Sequence, residues 1–343
     1  MTRHRLLSVV LLITLYCLGG KSWASNLNPD VILFGEWGAK PGEFGFVIDK
    51  DFQFNHSVKF SINNNELYVL DGINNRIQVF TLQGQLKGIV KLSTDWRMDG
   101  LAYEFAVLHG MFFIIHGNNP DAGGKIIYKY SADGKLLDKF GQLKLQNWDE
   151  GYISLFAHNQ SNSLLTNLWP NKIIAYDTSG KTYTPLYQGG KNEVLYISGL
   201  TYNNNPIISI TNKRTQQEQV VVIDYKSNTI KTRLKLESNF NTQGLNGELY
   251  AVKTRSHRRN TPKMPVIDIY NPIVKVINSI EVGNSIRYTK DNTERLLELT
   301  CRGTCSESTT IDLNGDIYHL IALSKGVVIL KYTAESLKEQ ISD

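Results

Sequence analysis

Six histidines lie beyond the N-terminal stretch of this 343-residue chain: His56, His109, His116, His158, His257 and His319. Imidazole is a common ligand for divalent metals, and a protein-bound metal needs three or four His, Asp or Glu side chains converging on one point. No two of these histidines have the spacing His-x-His or His-x3-His, so any metal centre would have to be assembled from distant segments. Asp99 and Glu104 could add carboxylates. Nucleophilic chemistry has less to draw on. The chain has no Gly-x-Ser-x-Gly elbow and no Gly-rich phosphate loop leading into a helix. The segment Gly117-Asn-Asn-Pro-Asp-Ala-Gly-Gly124 reads as a turn, with Asp121 as a weak calcium candidate.

Cys301 and Cys305 form a CxxxC pair. In an exported chain an even cysteine count points to a disulfide, here one that closes a small loop and stabilises modestly. The alternative is a metal or redox pair, but CxxxC supplies only half the ligands of a structural zinc site. A third group of candidates is aromatic. Trp37, Trp96, Trp148 and Trp169 fall at turns or unit junctions outside the strand-like runs. Such rings are common anchors in ligand and partner sites, and each could equally pack between neighbouring units. The basic cluster Arg255-Ser-His-Arg-Arg259 could meet an acidic partner or stand solvated in a loop.

The first 24 residues read as an export signal. Arg3 and Arg5 precede an apolar run from Leu6 to Leu18, Gly19 and Gly20 break it, and Ser22-Trp-Ala24 places small residues before a cut after Ala24. The run is short for a membrane span, so membrane attachment would come only through an uncleaved signal segment. Cys17 follows the bulky Tyr16, which disfavours a lipid-attachment site. Cleavage removes three cations and no acids, lowering the net charge from +5 to +2. A near-neutral mature chain argues against a nucleic-acid partner, whose phosphates demand clustered cations.

The elements that would position these residues are strands. Hydrophobic residues make up 41% and charged residues 20%, with 17 Tyr and 13 Phe, a composition suited to a large packed core of pleated sheets. The clearest unit runs Val58–Ile62, Glu66–Asp71, Arg76–Phe80 and Gln85–Val90, joined by Asn63-Asn-Asn65, Gly72-Ile-Asn-Asn75 and Leu82-Gln-Gly84. Four short strands with tight Asn/Gly turns make one propeller blade. Copies recur every 40 to 50 residues or so. Their strand pairs are Phe112–His116 with Lys125–Tyr130, Leu164–Thr166 with Lys172–Asp177, and Pro206–Ile210 with Gln219–Asp224. Two more are Glu248–Val252 with Pro265–Tyr270, and Asp316–Leu320 with Val327–Tyr332. The spacing predicts an all-β, six-bladed β-propeller. The strand Val31–Phe34 is left over, and is expected to pair with the last blade and close the ring. The expected boundaries are 1–24 for the signal, 25–335 for the propeller and 336–343 for a C-terminal tail. A short helix is expected at Thr293–Leu299 and another, or a frayed end, at Ala334–Ile341.

The segment Phe34-Gly-Glu-Trp-Gly-Ala-Lys-Pro-Gly-Glu-Phe44, with Leu67–Asp71 and Asn75-Arg-Ile-Gln-Val-Phe80, resembles an NHL repeat. The resemblance is specific over about residues 31–92, and departs from the pattern in an insert at Gly45–Phe54. In this motif Asp71 and Arg76 flank a turn and are expected to pair or cap it. The fold hosts both binders and enzymes. The leading reading is an exported, periplasmic or extracellular binding or scaffolding module for a protein, peptide or glycan. The alternative is a metal-dependent enzyme similar to propeller lyases or lactonases. Its divalent cofactor would sit in the central channel, with His56 and His158, near the inner strands, as the ligands proposed for it.

Overall fold

The computed structural model describes residues 29–48, 54–55, 58–93, 102–119, 124–144, 154–168, 171–201, 204–215, 217–236, 241–245, 248–255, 264–270, 276–281, 285–290, 293–298, 307–312, 314, 316–323 and 325–336. After β1 (Asp30–Glu36) comes a small hairpin, β2 (Val47–Ile48) and β3 (Phe54–Asn55), inside the insert that departs from the NHL pattern. The first blade is β4 (Val58–Asn63), β5 (Glu66–Asp71), β6 (Arg76–Thr81) and β7 (Leu86–Lys91). The second is β8 (Ala102–Leu108), β9 (Met111–Asn119), β10 (Gly124–Tyr130) and β11 (Leu136–Lys144). The third is β12 (Leu155–His158), β13 (Ser163–Leu168), β14 (Lys172–Asp177) and β15 (Tyr183–Gln188). The fourth is β16 (Glu193–Leu200), β17 (Pro206–Asn212), β18 (Glu218–Asp224) and β19 (Thr229–Leu236). Next come the ladder β20 (Asn241–Leu245), β21 (Glu248–Arg255), β22 (Met264–Tyr270) and β23 (Val276–Glu281), and the hairpin β24 (Ser285–Lys290) and β25 (Thr293–Glu298). The closing blade is β26 (Glu307–Ile311), β27 (Ile317–Ala322) and β28 (Gly326–Tyr332), with β1 as its outermost strand.

This is an all-β propeller. The expected count of six blades is corrected to five. Five four-stranded sheets send their first strand, or the turn after it, to a common axial cavity: β4, β8, β12, β16 and β26. The ladder β20–β23 is a further four-stranded sheet beside β16 and β17. β16 also approaches β26. The sequence repeat marks antiparallel strand pairs, and such pairs form a ladder whether or not that ladder takes a place in the ring. The helix expected at Thr293–Leu299 is also corrected. Thr293–Glu298 form β25, paired antiparallel with β24 from Ser285↔Glu298 to Lys290↔Thr293. Cross-strand pairing overrides a helical propensity worth only fractions of a kcal/mol per residue. At the C-terminus, residues 334–336 form a single helical turn.

Burial follows a strand's place in its blade. The middle strands are covered on both faces by neighbouring blades, so β27 is buried throughout, as is β14 from Ile173 to Tyr176. They therefore read as continuous apolar runs. The outer strands β7 and β15 are largely exposed. Among the described residues, four apolar layers lie between consecutive sheets. Phe44, Phe60 and Leu67 meet Tyr318 and Ile329 between the closing and first blades. Leu70 and Ile77 meet Phe112 and Tyr130 in the next layer. Phe113 and Ile127 meet Leu164 and Tyr176 in the third, and Leu165 and Ile173 meet Ile208 and Val221 in the fourth. Each fully buried Leu, Ile or Phe contributes about 1.5–3 kcal/mol of apolar transfer.

The ring closes as the leftover strand requires. β1 lies antiparallel to β28, with Val31 opposite Leu330 and Phe34 opposite Val328. The turn before β7 shows that β1 fills the place of an outer strand. Gly84, at φ +80°, sits so close to the backbone of Ile32 that an added Cβ would overlap the Ile32 carbonyl oxygen. Gly134, at φ +83° in the same turn of the second blade, lies equally close to the Lys91 carbonyl at the end of β7. Only glycine meets both demands, a left-handed backbone and no side chain.

From β1 the chain crosses to the first blade through residues 37–45, the NHL-like loop. Asp71 accepts from Gly45 N–H at 2.8 Å, from Asn74 Nδ2 at 2.8 Å and from Arg76 Nε at 2.8 Å. Arg76 also donates to the carbonyls of Ala39 (2.7 Å), Lys40 (2.9 Å) and Glu43 (2.8 Å). Gln78 donates to Glu43 O and accepts from Gly42 N–H. The expected pairing of Asp71 with Arg76 is therefore present, with side-chain exposures of 0% and 8%. Removing one partner of a buried pair leaves the other charge uncompensated, at a cost of about 3–5 kcal/mol. Arg76→Ala should lower unfolding stability in urea by that order, and Asp71→Ala by a similar amount. The double variant should cost clearly less than the sum; additive losses would show that the pair is not coupled.

Candidate functional site

Each inner strand runs toward the axis and ends in a turn at the same mouth. After β4 the turn is Asn63-Asn-Asn65. Asn64 and Asn65 take φ values of 49° and 58°, the left-handed backbone of a two-residue hairpin turn, which Asn tolerates. After β12 come Asn159 and its neighbours in a single 3-10 turn, and after β16 comes Asn204 at φ 59°. The turn after β26 begins with Asp312. Together they surround a cavity of about 180 Å³. Its wall carries the polar side chains of Lys59, Ser61, Glu104, Thr201 and Thr310, and the ring of Phe156. The asparagines 63, 64, 65, 159 and 204 line the same wall.

Two charges face each other inside this wall. Lys59 Nζ on β4 lies 3.5 Å from Glu104 Oε1 on β8, both partly screened from solvent, with side-chain exposures of 21% and 31%. The pair spans two blades and leaves the wall with balanced charge at that level. Asn63 also ties blades together, donating from Nδ2 to Val107 O at 2.9 Å and to Asn159 Oδ1 at 3.3 Å. Asp312 is spent on its own turn. Its Oδ1 accepts from Asn314 N–H and Asp316 N–H, and the Tyr318 hydroxyl donates to Oδ2 at 3.3 Å. Burial, followed by the nearby Asp312 carboxylate, raises the Tyr318 hydroxyl's pKa, so it stays a proton donor.

The structure puts the residues singled out from sequence in other roles. His158 ends β12 with its ring turned to the fourth blade, where it stacks on Tyr225 at 3.9 Å between centroids. Nε2 lies 2.7 Å from the Asn204 carbonyl, a pure acceptor, so Nε2 carries the hydrogen. Nδ1 then accepts from Ser161 N–H at 3.2 Å and Ser161 Oγ–H at 2.6 Å. Both nitrogens are engaged in joining blades and capping the 3-10 turn. His116 and His319 sit in the middle strands β9 and β27, each 2% exposed. His109 is an exposed turn residue at φ 50°. Trp37 is half-buried, donates from Nε1 to Leu323 O at 3.1 Å, and meets Phe46 at 5.8 Å between ring centroids. It staples the NHL-like loop to the closing blade. Glu104, the candidate carboxylate among the described residues, lines the axial cavity. His56, His257, Trp96, Trp148, Trp169, Asp99, Asp121, Cys301 and Cys305 lie outside the described residues. Among the described residues no three His, Cys, Asp or Glu side chains stand close enough to share a metal ion.

The amide-lined wall itself was passed over in the sequence because Asn63–Asn65 explains itself as a turn. The signal available was the alternation Lys59, Ser61, Asn63 along β4, a polar period of two on a strand otherwise bound for the core.

The histidines carry a pH dependence. Burial holds His116 down to about 3 and His319 down to about 4, and burial also lowers His158. The unfolded chain binds these protons near pH 6.5 and the native chain does not. Stability is therefore full above about pH 6.5 and falls as pH drops through the window from there toward 4, by about 1.4 kcal/mol per pH unit for each of His116 and His319, with His158 acting in the same direction. Urea midpoints at pH 7.5 and pH 5 should show this loss; equal midpoints would contradict it.

No protein-family model matches the chain, and no curated protein matches it in sequence. Solved structures resemble it over most of its length. One is hydrazine synthase of Kuenenia stuttgartiensis, 8% identical over 81% of this chain and 80% of that one, with a TM-score of 0.44. Another is streptogramin B lyase, 14% identical over 91% and 99%, TM-score 0.42. A third is the WD40 domain of Neurospora crassa Pan2, 12% identical over 81% and 89%, TM-score 0.47. Likenesses at this level carry no argument about ligand or activity.

Proposed function

We propose that this chain is an exported NHL-type propeller acting as a binding or scaffolding module, with a protein, peptide or glycan ligand received at the axial cavity. The observation that carries the reading is the cavity wall. Four of the five blades bring Asn, Ser or Thr side chains that can both donate and accept hydrogen bonds, and the other brings Glu104, paired with Lys59. Such a wall can orient a ligand through hydrogen bonds. The lyase or lactonase alternative needs a metal at the axis, and His158 has both ring nitrogens engaged at the blade junction instead. The NHL resemblance over residues 31–92 supports the family reading, because its Asp, Arg, Gln and glycine residues fill the structural places that hold the loop. The N-terminal basic, apolar and small-residue pattern supports export.

Elemental analysis of the purified mature protein should find no stoichiometric metal, and binding to glycan or peptide arrays should weaken at least tenfold in the double variant Lys59→Met, Glu104→Gln. That pair is partly exposed, so its loss should leave unfolding stability within about 1 kcal/mol. Stoichiometric zinc, calcium or iron that disappears in His56→Ala would favour the enzyme instead. For export, N-terminal sequencing of protein recovered outside the cytoplasm should begin at Ser25; an intact Met1 terminus there would refute cleavage after Ala24.

A further inference from the structure

We infer that the axial cavity takes one neutral sugar ring, the terminal unit of a glycan chain. The inference rests on the binding-module reading above and names the ligand class for that site.

Size is the first constraint. A cavity of about 180 Å³ falls below the roughly 300–1,000 Å³ of pockets that enclose drug-sized molecules. It is a pit at the end of five converging strands, with room for one compact unit, and an extended peptide would need a groove. Charge is the second constraint. The Lys59 ammonium and Glu104 carboxylate neutralise each other at 3.5 Å, and Asp312 is held by its own turn and Tyr318. Among the described residues, a phosphate, sulfate or uronate would meet no unpaired cation in this wall and would face the Asp312 carboxylate, whose hydrogen bonds hold it in place without cancelling its charge. The site therefore rejects an anion, and a sugar without ionised groups meets that demand.

Chemistry is the third constraint. A sugar hydroxyl donates one hydrogen bond and accepts others, so its best partners do both. Each Asn side chain offers two donors and an acceptor on one rigid plane, and each Ser or Thr hydroxyl can serve either way. Asn64, Asn65, Asn159 and Asn204 supply the amides, and Thr201 and Thr310 add hydroxyls. The left-handed backbone accounts for Asn64, Asn65 and Asn204 as turn formers. It does not account for Asn159, which is exposed at the mouth and is not among the positive-φ residues. The half-buried ring of Phe156 lines the same wall. It offers an apolar surface for the C–H face of a pyranose, while hydroxyls at the ring edge reach the amides.

The test uses the mature wild-type protein with a glycan array and a peptide array, followed by calorimetric titration of glucose, galactose, mannose and N-acetylglucosamine. A neutral glycan should be retained, and its terminal monosaccharide should titrate with one site per chain. Asn159→Ala and Asn65→Gly are suitable variants. The first changes an exposed side chain, and the second keeps a residue that tolerates a left-handed backbone. Each should weaken the sugar at least tenfold; Asn65→Gly should leave the urea midpoint unchanged, and Asn159→Ala, which also removes the 3.3 Å acceptor for Asn63, should lower it only slightly. Three results overturn the inference: retention of only charged glycans, sugar binding that both variants leave intact, or no glycan retained at all. Peptide retention lost in the same variants would reject the sugar and keep the binding-module reading. Silence on both arrays together with a stoichiometric metal would reject both.

Discussion

The structure depends on how a propeller joins its two ends. A row of twisted sheets packed face to face leaves an unpaired edge at each end, and such edges are sites of aggregation. Here the edge is removed by lending β1 to the closing blade, opposite β28. The chain must then step from the last blade straight into the first, and residues 37–45 make that step. The loop's peptide groups are met by three side chains of the first blade, Asp71, Arg76 and Gln78. The Trp37 indole holds its other end to Leu323. A latch that relied on β1 pairing alone would open at the cost of one ladder. This one must also strip the buried Asp71–Arg76 pair of the Gly45 N–H and of three loop carbonyls.

The remaining blade interfaces follow from the same geometry. Middle strands such as β14 and β27 are covered on both sides, so a polar residue within them must be accommodated. His116 and His319 are such residues, kept neutral by burial. At the outer rim the blades meet backbone to backbone, as Gly84 against Ile32 and Gly134 against Lys91 show. At the inner end the described strands and turns place Asn, Ser and Thr beside Phe60, Phe105, Leu155 and Phe156 around the axial cavity.

The first blade was legible because four conditions agreed in it: alternation, Asn/Gly turns, a turn glycine and the NHL-like loop. Closure by Val31–Phe34 was legible because one strand was left without a blade. The ring count was not. The copy at Glu248–Val252 and Pro265–Tyr270 does form paired strands, but pairing is a local property, while a place at the axis depends on contacts between sheets that alternation does not encode. Thr293–Leu299 misled for a related reason: Leu296, Leu297 and Leu299 suit a helical face as well as a strand, and the partner Ser285–Lys290 decided the matter.

The histidines and tryptophans were attractive because their chemistry is versatile, and the structure explains why versatility misdirects. A neutral imidazole has one donor and one acceptor in a rigid ring, which suits a junction where a carbonyl lies on one side and an N–H and hydroxyl on the other. His158 meets that demand with Asn204 and Ser161. Trp37 likewise gives its single donor to a carbonyl and its rings to the core. In a propeller the most chemically distinctive side chains are needed where blades join, because those joints must satisfy polar backbone ends inside an apolar layer. At the axis the joints are made by plainer residues, as where Asn63 donates to the Val107 carbonyl and to Asn159.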